Sequence, residues 1–145
     1  MPDPRSDKVQ KFREEQGASR VHILTAIQPF SVSQDRFVLI EFEHEAWLVI
    51  CRGGTPRTAF NHGQTQTVRS EDLRAFLDRL DAADAAWASD AIPTGVSDGV
   101  TLTVEQATPD EYRRVRMVEP PEDSMHARLL DAWMVTFPEI AIALT

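Results

Sequence analysis

The segment from residue 36 to residue 52 reads RFVLIEFEHEAWLVICR, and its pattern decides the fold. In its first half, apolar side chains fall on both faces of a predicted strand until Glu41 and Glu43 make one face polar. Its second half is apolar on both faces, which is typical of an inner strand that is covered on two sides. His44 and Glu45 separate the halves, so the segment predicts an antiparallel hairpin with a short polar turn.

The same strand pattern recurs before and after this hairpin. Residues 20–27 alternate between two sets of side chains and end near Pro29, whereas residues 100–106 and 112–118 form a second predicted hairpin. The segment 55–68 is polar and rich in threonine, which predicts short edge strands around a turn.

Two helices are predicted between and after these strands. Ser70 begins the first helix and is expected to cap it. An apolar stripe with helical spacing follows: Leu73, Phe76, Leu77 and Leu80. Pro120-Pro121 is predicted to begin the second helix and Pro138 to end it, since proline is tolerated in a first helical turn. The chain end at 140–144 is apolar enough to dock as a final strand or turn.

This order of elements predicts the fold class α+β. Strands joined by short turns imply a mainly antiparallel sheet of about five to seven strands, with two helices packed on one face. Residues 1–19 offer few apolar side chains, so a flexible N-terminal tail with at most a helical turn at 7–15 is expected there, followed by a single α+β domain at 20–145. A chain of 145 residues has the usual size of one domain.

The charge of the chain is uneven along its length. Residues 1–70 hold 8 acidic and 9 basic residues, whereas residues 71–145 hold 15 acidic and 6 basic ones, which gives the net charge of −8. An acidic surface repels the phosphates of nucleic acids and favours a cationic partner, so we expect no nucleic-acid binding. The 13 arginines against two lysines indicate a GC-rich bacterial genome.

Membrane spans and export signals are not predicted anywhere in the sequence. Uncharged apolar runs fall short of the ~18 residues that a membrane helix needs, and the N-terminus lacks the apolar core of a signal peptide. The one cysteine, Cys51, lies in an apolar run and excludes an intrachain disulfide. A cytoplasmic protein that does not bind membranes is therefore expected.

Catalytic and cofactor motifs are also missing from the sequence. The four histidines lack metal-ligand spacing. Glu41 and Glu43 have the spacing of a hydrolytic pair, but alternating charge on a strand is more typical of its water-facing side. The basic run 112–116 is expected to pair across the sheet with acids such as Glu105 rather than with phosphates. We therefore expect no catalytic residues, no metal and no cofactor, and an enzyme is not favoured.

Four features of the second half carry a resemblance to known proteins. They are a Ser-Glu-Asp-Leu helix start at 70–73, Trp87 after that helix, an Asp-Gly turn into a strand ending in Glu at 98–105, and a Tyr-Arg-x-Val strand with proline before the last helix at 112–120. In these features the chain from Val68 to its end resembles small, mostly uncharacterised bacterial α+β proteins, several of which are immunity-like partners of secreted toxins. The resemblance implies fold and a protein partner, with no active site to transfer.

The favoured function is therefore a non-catalytic acidic domain that binds another protein. It is expected to act as an immunity or inhibitor protein that neutralises a basic toxin, because an acidic surface accelerates association with a basic cleft. The contact residues should be acids exposed on the first helix and on the second hairpin: Glu71, Asp78, Asp110 and Glu111.

Two other functions remain open at this stage. One is a small-ligand-binding or enzymatic domain with a pocket between the sheet and the helices, lined by His22, Cys51 or Arg116. The other is a homodimer that forms through an exposed edge strand in the segment 55–68.

Overall fold

The computed structural model describes residues 4–29, 33–54, 63–93 and 99–144. The strands in these ranges are β1 (Arg20–Ile27), β2 (Gln34–Glu41), β3 (Ala46–Gly54), β4 (Gln64–Val68), β5 (Thr101–Ala107) and β6 (Tyr112–Val118). The helices are α1 (Pro4–Gln16), α2 (Ser70–Ala82), α3 (Met125–Thr136) and α4 (Pro138–Ala143), with a 3₁₀ helix at Asp84–Ala88.

The strands form a single antiparallel sheet in the order β4-β3-β2-β1-β5-β6. This confirms the predicted α+β class, and the turns between β2 and β3 and between β5 and β6 fall where the sequence places them. β3 lies between β2 and β4, so its apolar character on both faces matches an inner position. β4 is an edge strand with exposed side chains, so the edge predicted within 55–68 is found in its second part; residues 55–62 lie outside the described residues.

One face of the sheet is covered by a helical layer, which we define as residues 70–93 and 119–144. Phe76 of α2 is fully buried, because its ring meets Trp133 edge-on with the ring centroids 5.0 Å apart, and also contacts Phe137. The predicted stripe of α2 faces this core, with Phe76 and Leu80 buried and Leu73 and Leu77 packed at its margin. These aromatic rings join α2, α3 and the sheet into one core.

The opposite face of the sheet carries α1. The sequence predicts a flexible tail over residues 1–19, whereas the structure places a 13-residue helix in it and packs that helix on β1, β5 and β6. Val9 is fully buried in a second, smaller core that includes Val21 and Ile23. The two predicted helices, α2 and α3, share one face as expected, and α1 adds a helix on the opposite face.

Three local predictions about helix ends are wrong in detail. Ser70 is the first residue of α2 and not its cap, since Arg69 occupies the cap position without a side-chain hydrogen bond. α3 begins at Met125 rather than at Pro120-Pro121, because the hydroxyl of Ser124 accepts the Ala127 N–H at 3.1 Å and caps the helix. The apolar chain end, which is predicted to dock as a strand or turn, forms the helix α4 instead, with Pro138 in its first turn.

The aromatic core makes a direct prediction about stability. Phe76→Ala removes the ring that joins α2 to α3, and we expect it to lower the free energy of unfolding by about 3–5 kcal/mol. Val135→Ala is the matched control, because Val135 lies on α3 but is 57% exposed, and it should cost less than about 0.5 kcal/mol. Urea unfolding of both variants checks this, and equal losses would show that the core does not depend on Phe76.

Candidate functional site

The four acids predicted to bind a partner lie on two different elements, and Arg113 links the chain just after α2 to the hairpin by meeting both Asp84 and Glu111. Glu71 and Asp78 are exposed on α2, which follows the edge strand β4. Asp110 and Glu111 are exposed in the turn between β5 and β6, at the other edge of the sheet. With strands spaced ~4.8 Å apart, the start of α2 and this turn are separated by more than about 20 Å.

The residues predicted to line a pocket between the sheet and the helices are also divided. His22 lies on the helical side of the sheet, where its ring meets that of Phe76 edge-on at 5.3 Å. Cys51 and Arg116 lie on the opposite side, Cys51 beside Phe12 of α1 and Arg116 towards the other edge. Burial raises the pKa of the Cys51 thiol, which keeps it protonated and unreactive at neutral pH.

A buried polar chain runs across the helical side of the sheet, and it corrects the placement of Glu41. The carboxylate predicted to face water is 4% exposed, whereas Glu43 is exposed as expected. Glu41 Oε2 lies 2.5 Å from His22 Nε2, and its Oε1 accepts from Arg20 at 2.7 Å. On the other side of the ring, His22 Nδ1 lies 3.4 Å from the side-chain nitrogen of Gln106.

The partners of His22 determine its protonation state. Arg113 donates two hydrogen bonds to Gln106 Oε1, so the amide nitrogen of Gln106 faces His22 Nδ1 as a donor. Nδ1 must then accept, and the ring proton sits on Nε2 and is donated to Glu41. Burial lowers the pKa of His22, which agrees with a neutral ring. Burial acts to raise the pKa of Glu41, but its hydrogen bond from His22 and the charge of Arg20 outweigh this and lower it.

The other face of the sheet contains a cavity of about 250 Å³ beyond the start of α1. We call it the arginine pocket; its polar lining includes Arg5, Thr25, Arg36, Glu105, Arg114 and Arg116. These residues come from α1, β1, β2, β5 and β6, so the site forms only when these four strands and the N-terminal helix are in place.

Glu105 anchors α1 at the rim of this pocket. Its carboxylate is 1% exposed and accepts two parallel hydrogen bonds from Arg5, at 2.8 and 2.7 Å. The hydroxyl of Tyr112 donates to the same carboxylate at 2.5 Å, and burial together with Glu105 raises the pKa of Tyr112. The acid expected to pair across the sheet is thus held by a residue 100 positions earlier in the chain, although Arg114 stands opposite it in register.

Arg36 is the most deeply buried cation of the pocket, with 3% of its surface exposed on the inner strand β2. Its guanidinium is oriented by two neutral acceptors, Thr25 Oγ1 at 3.3 Å and Gln34 Oε1 at 2.9 Å. Burial, with the charge of Arg5 as a second cause, lowers the pKa of Arg36 to about 10, which still leaves it positive at neutral pH.

Arg116 closes the outer side of the arginine pocket. Its guanidinium lies 3.2 Å from Asp90, and its backbone N–H donates to the other carboxylate oxygen at 2.9 Å. These contacts lower the pKa of Asp90, the backbone hydrogen bond most of all. The pocket therefore has four guanidinium groups and one carboxylate in its described lining, with a second carboxylate at its margin.

The described ranges contain no group of three His, Cys, Asp or Glu side chains arranged to hold a metal ion. Among the helices of the same ranges, none has the length and hydropathy of a membrane-spanning segment. The chain matches no protein-family model, and a search of curated proteins returns no significant match.

The sequence offered only a weak signal for the arginine pocket. Thr25 and Arg36 are polar interruptions of predicted strands, and the register pairs them directly in the β1–β2 hairpin. Matched polar residues on two inner strands indicate a site on that face, but Arg5 lies in the predicted tail and Arg114 in a run assigned to cross-strand pairing. Sequence spacing alone does not bring these groups together.

The buried polar chain predicts how stability depends on pH. The pKa of His22 is lower in the folded protein than its ordinary value of 6.5. As the pH falls, His22 therefore binds a proton more readily in the unfolded chain than in the folded one. The free energy of unfolding should therefore fall as the pH drops below about 6.5, by at most ~1.4 kcal/mol per pH unit. Urea unfolding at pH 7.5, 6.5, 5.5 and 5.0 measures this slope. His22→Gln should flatten it, and an unchanged slope in that variant would contradict the assignment.

The Arg5–Glu105 contact predicts a second stability effect. Arg5→Ala leaves a buried carboxylate without its cation, so we expect a loss of about 3 kcal/mol in urea unfolding. Adding Glu105→Gln should restore part of this loss, because an amide carries no charge to bury. Lys11→Ala is the control on the same helix, since Lys11 pairs with Glu15 at an exposed position and should cost less than about 0.5 kcal/mol. Equal losses for Arg5→Ala and Lys11→Ala would contradict the anchoring role.

Proposed function

We propose that this protein is a non-catalytic binding domain whose acidic helical layer binds a basic surface of another protein. The observation that supports this is the segregation of charge in the fold. The helical layer holds eleven acidic residues and three arginines, so it carries a net charge of −8, equal to that of the entire chain. The remaining residues, which include the whole sheet and α1, are neutral in total.

The exposed acids of the helical layer can meet a cationic partner directly. Asp78, Asp81 and Asp131 are exposed, and within the described residues none of them has an ion-pair partner. Unpaired exposed carboxylates keep their hydration until a partner arrives, and their summed field accelerates encounter with a positive surface. An inhibitor of a basic toxin, in the manner of an immunity protein, needs this kind of surface.

The helical layer is better suited to this role than the hairpin turn. Asp110 and Glu111 lie at one edge of the sheet, outside the layer that carries the net charge; an arginine lies 3.7 Å from Glu111, as one does from Glu71, so pairing does not separate the two sets. Glu71 and Asp78 belong to the layer that carries the net charge. We therefore assign the partner surface to Glu71 and Asp78 and not to the other two predicted acids.

The alternative, a ligand pocket between the sheet and the helices, has less support. The side chains of the larger core fill the middle of that interface, where His22 is enclosed beneath Phe76. A cavity of about 490 Å³ lies at its edge between β3, β4 and α4, but none of the three residues predicted to line such a pocket is in its described lining. Self-association through β4, the edge strand, stays a prediction.

Charge reversal tests the proposed partner surface. The tagged protein is used as bait in cells of its source organism, and partners are quantified at low and moderate salt. Glu71→Lys/Asp78→Lys should reduce recovery of a basic partner at least about tenfold, since each reversed charge replaces attraction by repulsion. Asp110→Lys/Glu111→Lys is matched in charge change and should retain the partner.

Two outcomes would contradict this proposal. One is a stoichiometric partner that both double variants retain equally, since that would place the contact outside the acids of α2. The other is a partner whose recovery does not fall as salt rises, since screening weakens an electrostatic contact.

A further inference from the structure

The two edges of the sheet differ in how their outer backbone groups are occupied. At the β6 edge, the N–H of Ala91 donates to the carbonyl of Arg116 at 2.9 Å, and the N–H of Val118 donates to the carbonyl of Ala91 at 3.0 Å. The Asp90 carboxylate accepts the N–H of Arg116 at 2.9 Å. At the opposite edge, no segment of the described ranges pairs with the outer side of β4. Unpaired backbone groups of this kind can take up another strand.

The side chains of β4 do not resist such pairing. Residues 64–67 are exposed, and the strand contains neither a charged residue nor a proline, which are the groups that natural edge strands use to prevent pairing. Thr67 stands beside Trp47 in the register of β3 and β4, and Trp47 is only half-buried. The open edge therefore adjoins apolar surface that another chain can cover.

The sequence of β4 is suited to a second copy of the same strand. In an antiparallel pair centred on Gln66, each Gln66 faces its counterpart, and Thr65 faces Thr67 of the second copy. Threonines placed opposite each other stabilise an antiparallel pair, and a contact around a two-fold axis requires this kind of self-complementarity. Charge favours the same place, because two copies with a net charge of −8 repel each other, whereas β4 is neutral.

We propose that β4 pairs antiparallel with β4 of a second copy, which joins the two six-stranded sheets into one continuous sheet. The two-fold axis of such a pair is perpendicular to the sheet, so both helical layers lie on the same side of the dimer. The contact uses the strand edge and not the acids of the helical layer. Self-association and the proposed partner binding can therefore fail independently.

The strength of the dimer and its response to salt follow from this contact. Because β4 has only five residues, the interface is small, and we expect a dissociation constant of roughly 1 μM or weaker. Salt screens the repulsion between two acidic copies, so raising it should strengthen the dimer or leave it unchanged. Binding of a basic partner should instead weaken as salt rises, which separates the two interactions.

Sedimentation velocity of the full chain, from about 10 μM to about 1 mM, brackets this affinity. A species of twice the monomer mass should grow with concentration. Hydrogen exchange at both ends of this range locates the contact. Alternate amides within 64–68 should exchange more slowly at the high concentration, because every second residue of an edge strand directs its N–H outwards.

Paired charge variants of β4 test the register. Thr65→Lys/Thr67→Lys and Thr65→Glu/Thr67→Glu each place like charges opposite one another, so each should raise the dissociation constant of its own dimer at least about tenfold. An equal mixture of the two variants should associate again, since lysine then faces glutamate, and this recovery shows that both variants fold. Ala85→Lys/Ala88→Lys adds the same charge at exposed positions of the 3₁₀ helix and should still dimerise.

Four outcomes would overturn the proposal. They are a chain that stays monomeric at the highest concentration, a dimer without protection of the β4 amides, a dimer that both threonine variants retain, and a mixture of these variants that does not associate. If the unmodified chain is monomeric but the β4 variants lose a partner protein, the edge binds a strand of that protein and not a second copy.

Discussion

The inner strands β1 and β2 have side chains buried on both faces, and this constraint organises the rest of the structure. A sheet buried on both sides needs a cover on each. The helical layer covers one side, with Phe76 packed over His22. On the other side α1 is only 13 residues long and covers part of the sheet, so the uncovered part is polar. The smaller core and the arginine pocket thus share one sheet face, divided by where α1 begins.

The two faces of the sheet also differ in the kind of polar groups that they bury. On the helical side a carboxylate, a neutral imidazole and an amide form a closed chain in which each polar atom has a partner, so burial there brings rigidity without a binding role. On the other side, guanidinium groups from α1, β2 and β6 meet around one cavity, and Glu105 there accepts from both Arg5 and Tyr112. The same sheet thus holds a closed chain of polar groups on one face and a cluster of charged groups on the other.

Much of the fold follows from local patterns in the sequence. The period of two identifies the hairpins, and the stripe ending at Leu80 identifies α2, because both patterns report burial of one element against its neighbours. The sequence predicts at most a helical turn at 7–15 where α1 lies, because Val9 and Phe12 are its only large apolar residues and its docking depends on Glu105 in β5. The prediction that Glu41 faces water is wrong for a related reason. The alternation of Glu41 and Glu43 along the strand indicates a solvent-exposed face, but Arg20 and His22 of the neighbouring strand pair with the Glu41 carboxylate and make its burial possible. Contacts between distant segments leave no local pattern, and the candidate sites consist largely of such contacts.

The pairing of β1 with β5 has a consequence for the order of events during synthesis. Strands β1 to β4 can assemble as a meander as soon as they leave the ribosome. One edge of β1 stays unpaired until β5 emerges, because its partners there, such as Ala107 opposite Val21, are not yet synthesised. At roughly 5–20 residues per second this delay lasts several seconds. Throughout it, a hydrophobic strand edge is available to any other nascent chain, and α1 has no Glu105 to hold it. The partly synthesised chain, rather than the folded protein, is therefore the form most exposed to aggregation and most in need of a chaperone.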